Sequence, residues 1–369
     1  MAYPETYSSL RDLIESKLQD SSNAKFSTAE LDLVMTEGLR EIAKYHPYIY
    51  RAEYNLENRS GTATATTTGA LVDSTESQFL STDVGKTIYN IKDRTWAIVT
   101  AYVSTSQLTI SNDIMASGEG YIIFNEGCRS KFDINLASPQ QPDGALGSRL
   151  IDYLYIDNIE WPILQEPPSI LRPGDWEMRE RNILHLKKGP PPDDTSQTDA
   201  QDEVWIYFAI QHRLSQLTTL LGKVNNNGGY AAGSVSMNVD DLQSSGTMQK
   251  GQLFTIDNCR GIYITDYQRT ISGNALAPMT FWPPLSDAVD DDATIRFVSN
   301  TLDYQLEGIF ADLCAGKAAI SKAQTYVNKI NYGPNPYRLM WEWGKLHYNA
   351  AIEELKGIRG YEAPSIALP

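Results

Sequence analysis

Four histidines, three cysteines and a few acidic clusters are the residues of this chain with the means to do chemistry. His46, His185, His212 and His347 supply the imidazoles needed for acid–base or transition-metal work. A metal centre needs His or Cys partners at helical or hairpin spacing, and none of the four has one; HExxH is absent. His347 follows Glu342 by five residues, which puts the two on different faces of a helix. All four histidines are therefore read as structural or surface residues. Cys128, Cys259 and Cys314 are odd in number, far apart and without CxxC spacing, which indicates neither a disulfide framework nor a zinc cluster and suits folding in a reducing cytoplasm. Asp240-Asp241 and Asp290-Asp291-Asp292 lie in turn-like segments, yet neither follows the alternating oxygen-ligand pattern of a calcium loop, so they read as solvated turns. GxSxG and Walker A motifs are missing. Asn227-Gly228-Gly229-Tyr230-Ala231-Ala232-Gly233 does not join a strand to a helix at phosphate-loop spacing and reads as a hinge. No catalytic, metal or cofactor-binding residues are expected.

Aromatic side chains are the remaining functional material, with 21 tyrosines and 7 tryptophans. Tyr3, Tyr7, Tyr45, Tyr48, Tyr50 and Tyr54 cluster near the N-terminus, a composition that suits protein contacts and core packing alike. Trp341 and Trp343 sit two apart in a helical pattern, so they cannot share a face. Either one of them meets another chain, or both belong to one wide apolar stripe. The final segment, Gly360 to Pro369, is apolar for a terminus and reads as a docking tail, the alternative being a frayed end or one packed on its own domain.

The elements that must position these residues divide into helical ends and a β-rich middle. Ser9 and Asp12 fit a capping box before Leu10, Leu13, Ile14 and Leu18. Ser27 and Glu30 repeat the signal before Leu31, Val34, Leu39 and Ile42, and that helix should stop near His46-Pro47. A long helical pattern runs from Asp303 through Leu306, Ile309, Phe310, Leu313, Ile320, Ala323 and Val327 to Ile330. Its middle, Ala315-Gly316-Lys317-Ala318-Ala319, is small enough for close helix approach. A last helix is capped by Asn335, has Pro336 at its first position and stops at Gly360. Residues 61–299 are rich in Thr, Ser, Ile, Val and Tyr with Gly, Asn and Asp punctuation, the mark of short strands. Within them a pattern recurs: strands at 85–89, 96–100, 108–110 and 120–124 are answered in the same order at 250–254, 262–265, 279–281 and 293–297. Three further strands, at 150–156, 182–186 and 204–210, read as a central antiparallel sheet. The expected fold is thus α+β: a helical bundle of N- and C-terminal helices (residues 1–58 and 300–360), a central antiparallel β region (127–224), two inserted small β-barrel or β-sandwich modules (61–126 and 230–299, the second repeating the first) and a tail (361–369).

With 369 residues, 41% hydrophobic, a formal charge of −15 and no basic run beyond Lys187-Lys188, the chain has material for two or three cores and does not suit gripping nucleic acid or an anionic membrane. The N-terminus has no basic and apolar leader, and no apolar stretch is long enough to span a bilayer, so neither secretion nor a membrane partner is expected.

Tyr7-Ser8-Ser9-Leu10-Arg11-Asp12-Leu13-Ile14, continued by Ala29-Glu30-Leu31-Asp32-Leu33 and Gly38-Leu39-Arg40-Glu41-Ile42, resembles the opening helices of tailed-bacteriophage head-to-tail adaptor proteins. Leu306-Glu307 through Lys317-Ala318-Ala319-Ile320-Ser321-Lys322-Ala323 and the tryptophan-bearing last helix look like the closing half, so that about a third of the chain is covered. The β-modules depart from the small, mostly helical adaptors, although larger adaptor and tubular neck proteins also carry β-domains. The resemblance implies a structural, non-enzymatic protein of the virion neck, assembled in the bacterial host cytoplasm. It implies partners as well: further copies in a closed ring of about twelve, the portal, the next neck or tail protein, and genomic DNA passing unbound through the lumen. Portal contacts would fall on Trp341, Tyr361, Pro364, Ile366 and Leu368, and contacts to neighbouring subunits or the neck on Tyr48, Tyr50, Trp96 and Trp282. A tail or baseplate protein that binds a receptor or glycan through its β-modules is the alternative.

Overall fold

The structure, a computed structural model, describes residues 5–136, 152–180, 182–189, 203–259, 261–327 and 334–358. Four α-helices and twenty strands are formed by these residues. The chain divides into two compact units, residues 50–208 and residues 1–49 with 209–369.

In the second of these units, α1 (Tyr7–Lys17) and α2 (Thr28–Ile42) precede α3 (Tyr304–Val327) and α4 (Pro334–Gly357). The Ser27 box forms as its residues dictate: Glu30 N donates to Ser27 Oγ at 3.3 Å, and Ser27 N donates to Glu30 Oε2 at 2.8 Å. The first helix starts earlier than its pattern suggests, because Thr6 and Ser9, not Ser9 and Asp12, make the reciprocal cap (Thr6 N to Ser9 Oγ, 2.8 Å; Ser9 N to Thr6 Oγ1, 3.1 Å).

The expectation of an α+β molecule built on a terminal helical bundle is corrected. The chain is mostly β, 34% strand against 23% helix. Its helices are organised around one member: α1, α2 and α4 each lie on α3, while α1 and α2 meet only marginally. Close approach explains the arrangement. A Cβ on Gly38 of α2 would lie 2.5 Å from Cys314 Sγ, and one on Gly316 of α3 would lie 2.6 Å from Tyr348 N and 2.7 Å from Gly344 O of α4. Glycine at these two crossings lets α2 and α4 sink onto α3, and the helices share a core that includes Leu10, Ile14, Leu31, Phe310, Leu313 and Leu355. Lys17–Asp312 (2.8 Å), Lys317–Glu37 (2.8 Å) and Lys322–Glu30 (3.1 Å) flank the same seams.

The same unit holds a closed six-stranded barrel built from β13 (Leu221–Val224), β14 (Ser236–Asp240), β16 (Leu253–Ile256), β17 (Tyr263–Thr265), β19 (Leu276–Trp282) and β20 (Thr294–Phe297), in the order β13-β14-β19-β17-β16-β20. A two-stranded ribbon, β15 (Ser245–Met248) with β18 (Arg269–Ser272), is inserted in it. Phe254, Tyr263, Phe281 and Phe297 fill its interior, with ring centroids 5.5–5.8 Å apart around Phe254. The barrel begins at β13, so residues 221–224 leave the central region in which the sequence pattern placed them.

The other unit contains a six-stranded sheet of β2 (Ser60–Thr62), β3 (Ala70–Val72), β4 (Thr87–Asn90), β5 (Thr95–Ser104), β6 (Gln107–Ile110) and β7 (Gly120–Phe124), ordered β2-β7-β4-β5-β6-β3. Its order repeats that of the barrel: two leading strands flank a set in which the fourth strand precedes the first, second and third. In the barrel the leading strands β13 and β14 pair and close the ring. In the sheet, the corresponding segments are joined by a backbone bond from Thr64 N to Val72 O (2.7 Å) and by Thr64 Oγ1, which donates to Val72 O (3.3 Å) and accepts from Ser74 N (3.0 Å).

The single central sheet is a second correction. β1 (Tyr48–Asn55), β9 (Tyr153–Glu160) and β12 (Glu203–Ile210) form one three-stranded sheet in the order β1-β12-β9, whereas β11 (Ile183–Leu186) pairs with β8 (Asp133–Asn135) and β10 (Trp176–Met178) in another. Burial does not alternate along β9 or β11 as their sequence pattern suggested, and partner choice depends on contacts far along the chain, which alternation does not encode.

Candidate functional site

The clearest exposed apolar surface on a described helix is the outer side of α4. Gly344, Ala351 and Leu355 are buried along its inner side, so residues 338–346 on the opposite side face solvent. Trp341 and Trp343 separate as helical geometry requires. Trp343 turns inward, packs on the helical core and lies tilted against the His347 ring, with centroids 4.2 Å apart. Trp341 remains 40% exposed, with Lys345 Nζ 4.9 Å from its ring centroid. Leu339 and Leu346, seven residues apart and so on one face, away from Trp341, are 65% and 68% exposed. Arg338 and Glu342 pair at 2.8 Å on the same turns. The exposed surface of α4 thus carries two leucines on one face and a tryptophan on another, amid charge, a composition that suits protein contacts.

The other proposed contact residues fall in several places. Trp96, on β5, is 40% exposed and belongs to an aromatic group with Tyr89 (4.4 Å) and Phe124 (5.7 Å). Ile98, two residues on, is 53% exposed, and Tyr102 is exposed beyond it, giving this sheet an apolar outer side. Trp282 is half-buried at the end of β19, opposite Ile264. Tyr48 is half-buried with its ring 6.1 Å from that of His212. Tyr50 is 1% exposed and faces the interior, so it has no surface to offer a partner. Tyr361, Pro364, Ile366 and Leu368 lie outside the described residues.

The histidines are held individually. His46 Nε2 lies 2.7 Å from Leu355 O, and His212 Nε2 lies 2.8 Å from His46 O while its Nδ1 faces Thr301 O at 3.0 Å. His185 Nδ1 is 2.8 Å from Asp133 Oδ1, and His347 Nδ1 is 3.6 Å from Asp312 Oδ1. The acidic turns surround a lysine: Lys223 Nζ is 3.4 Å from Asp241 and 3.7 Å from Asp292. Among the described residues no group of three or more His, Cys, Asp or Glu side chains is arranged to hold a metal ion, and no helix is long and apolar enough to cross a membrane. Burial pushes the thiols of Cys128 and Cys314 well above the ordinary cysteine range.

A buried ionic cluster escaped sequence reasoning. Arg59 donates to both Glu57 oxygens (2.9 Å each) and to Asp83, and Lys86 Nζ reaches Glu57 at 2.5 Å and Asp83 at 3.2 Å. The cluster ties the segment before β2 to the turn that leads into β4. Burial alone would raise the Glu57 carboxyl, but Lys86 and Arg59 overcome it and hold the group at about 2. The spacing Glu57-x-Arg59 carries no helix or strand signature; only the fold brings Asp83 and Lys86 to it.

Comparison with protein-family models, with curated proteins and with solved structures gives no match. The likeness to head-to-tail adaptors therefore rests on the sequence pattern alone.

Proposed function

We propose that this chain is a structural subunit of a bacteriophage neck, a head-to-tail adaptor that assembles as a closed ring between the portal and the next neck or tail component. The observation that carries the reading is the apolar exposure of α4: Leu339 and Leu346 on one side and Trp341 on another stay in water, while Gly344, Ala351 and Leu355 of the same helix are buried. Isolated, such a face is a liability; against a partner it is an anchor. In this account the α4 face and the segment that follows it engage the portal, and the two topologically matched β-modules contact neighbouring subunits or the distal neck component. A head-to-tail contact whose rotation closes yields a ring. The charge of −15 suits a conduit that passes DNA without holding it, since binding phosphates requires clustered cations.

The test is co-sedimentation with a tailed-phage portal ring. Deleting residues 361–369 or replacing Trp341 by Ala should weaken attachment while leaving the circular dichroism spectrum unchanged. Undiminished binding by both variants would remove the α4 end from the contact.

A second reading, a tail or baseplate protein that recognises a receptor or glycan, is favoured by the Trp96 face, where an exposed indole lies beside Tyr89 on a sheet surface. Glycan-array binding lost on Trp96→Ala would support it.

A further inference from the structure

The glycine-rich stretch from Asn227 to Gly233 opens with the only Asn-Gly step of the chain. It joins β13 to β14, and residues 226–229 form a β-turn: Gly229 N donates to Asn226 O at 2.6 Å, and Asn226 Nδ2 donates to Gly229 O. The base of this turn is held firmly. Asn226 N donates to Asp291 Oδ1 at 2.8 Å, and Tyr230 and Val289 exchange backbone bonds of 2.8 Å. Gly229, at φ +63°, lies so close to the other strand end that a Cβ would come within 2.4 Å of Val289 O.

The tip is held by nothing. Asn227 and Gly228 are both exposed, and among the described residues no group accepts from the Gly228 N–H or engages the Asn227 side chain. A Cβ on Gly228 would meet nothing within 4 Å, so the tip has room to turn. The Gly228 nitrogen and the Asn227 carboxamide are tethered by the backbone itself, so rotation about the bond between them brings nucleophile and electrophile together, and glycine adds no side chain to obstruct the approach. Three asparagines stand in a row, and only the last meets these conditions. Asn225 and Asn226 are each followed by another asparagine, and the amide nitrogen of Asn226 is bonded to Gly229 O.

We propose that Asn227 is a site of spontaneous deamidation. The Gly228 nitrogen bonds to Asn227 Cγ, the Cγ–Nδ2 bond breaks, and the Gly228 N–H proton passes through solvent to the departing ammonia. Water then opens the cyclic imide at one or the other carbonyl, leaving aspartate or isoaspartate. Each modified chain gains one negative charge beside Asn226 and Asp291, where Asp241 and Asp292 already share Lys223 at 3.4 and 3.7 Å.

Incubation of the full chain at mildly alkaline pH, followed by peptide mapping of residues 224–250 between Lys223 and Lys250, tests it. Methylation by an isoaspartyl methyltransferase counts the isoaspartate. Asn227 should convert at least about tenfold faster than Asn225, Asn226 or Asn238, and Gly228→Ala should remove that advantage. Alanine fits at 228, where φ lies outside the left-handed region, so Tm should stay unchanged in the variant. Conversion of Asn227 no faster than that of the other three asparagines, or at an equal rate in Gly228→Ala, would overturn the inference.

Discussion

Arg59 is the residue on which the first β-module most depends electrostatically. It neutralises two carboxylates, Glu57 and Asp83, that are almost wholly removed from water. Replacing it by Met would keep the volume and leave both acids facing Lys86 alone, a loss of about 3–5 kcal/mol for a broken buried pair. Urea unfolding should register that loss in the unit containing residues 50–208, and a change under 1 kcal/mol would show the cluster to be dispensable. His212 is the second residue with a measurable signature. Burial lowers its pKa, against the opposing pull of carbonyls from His46 and Thr301. The unfolded chain therefore takes up a proton near the ordinary value of 6.5 while the folded chain does not, so stability falls as pH drops below that value. His212→Asn should reduce the drop in Tm between pH 7.5 and pH 5.5; an unchanged drop would mean that His212 is not held neutral.

At the scale of elements, helix positions could be read directly and strand partnerships could not. The Ser27–Glu30 box, the small residues around Gly316 and the divergent faces of Trp341 and Trp343 are local features, fixed within one or two turns, and each appears where its pattern places it. The pairing of β1 with β12 and the separation of β11 from β9 join residues far apart in sequence, and alternation says nothing of them. The recurring strand pattern did point to two modules of like order, but it missed their leading strands: β2 and β3, which have three residues each, and β13 and β14, although burial alternates along both. Of the candidate contacts, Trp96 and Trp341 have exposed faces, while Tyr50 does not: a tyrosine on a strand suits either side, and the identity of the residue does not choose. The glycine crossing makes a direct prediction. Gly344→Ala would place a methyl 2.7 Å from Gly316 O, so α4 must lift from α3, at about 1–3 kcal/mol for overpacking or more against backbone. Thermal unfolding should show it, and a neutral result would mean that the helices separate freely. Excising residues 230–299 should leave an insoluble chain, because β13 would remain without β14 and β20. A soluble, helical product would contradict the closed barrel.

The whole molecule is two compact units that each carry a β-module of the same strand order, with helices gathered on α3 in one of them. Its formal charge of −15 and its exposed apolar faces pull in different directions for a solitary protein: the first favours solubility, the second association. In the proposed ring the exposed apolar faces would be covered, which would reconcile the two. Mass photometry of the purified chain across a concentration series measures this directly. A closed ring predicts one dominant species near twelve times 41.2 kDa, reduced in abundance by Trp96→Asp or Leu346→Asp. A monomer or trimer at every concentration that also fails to bind a portal ring would contradict it.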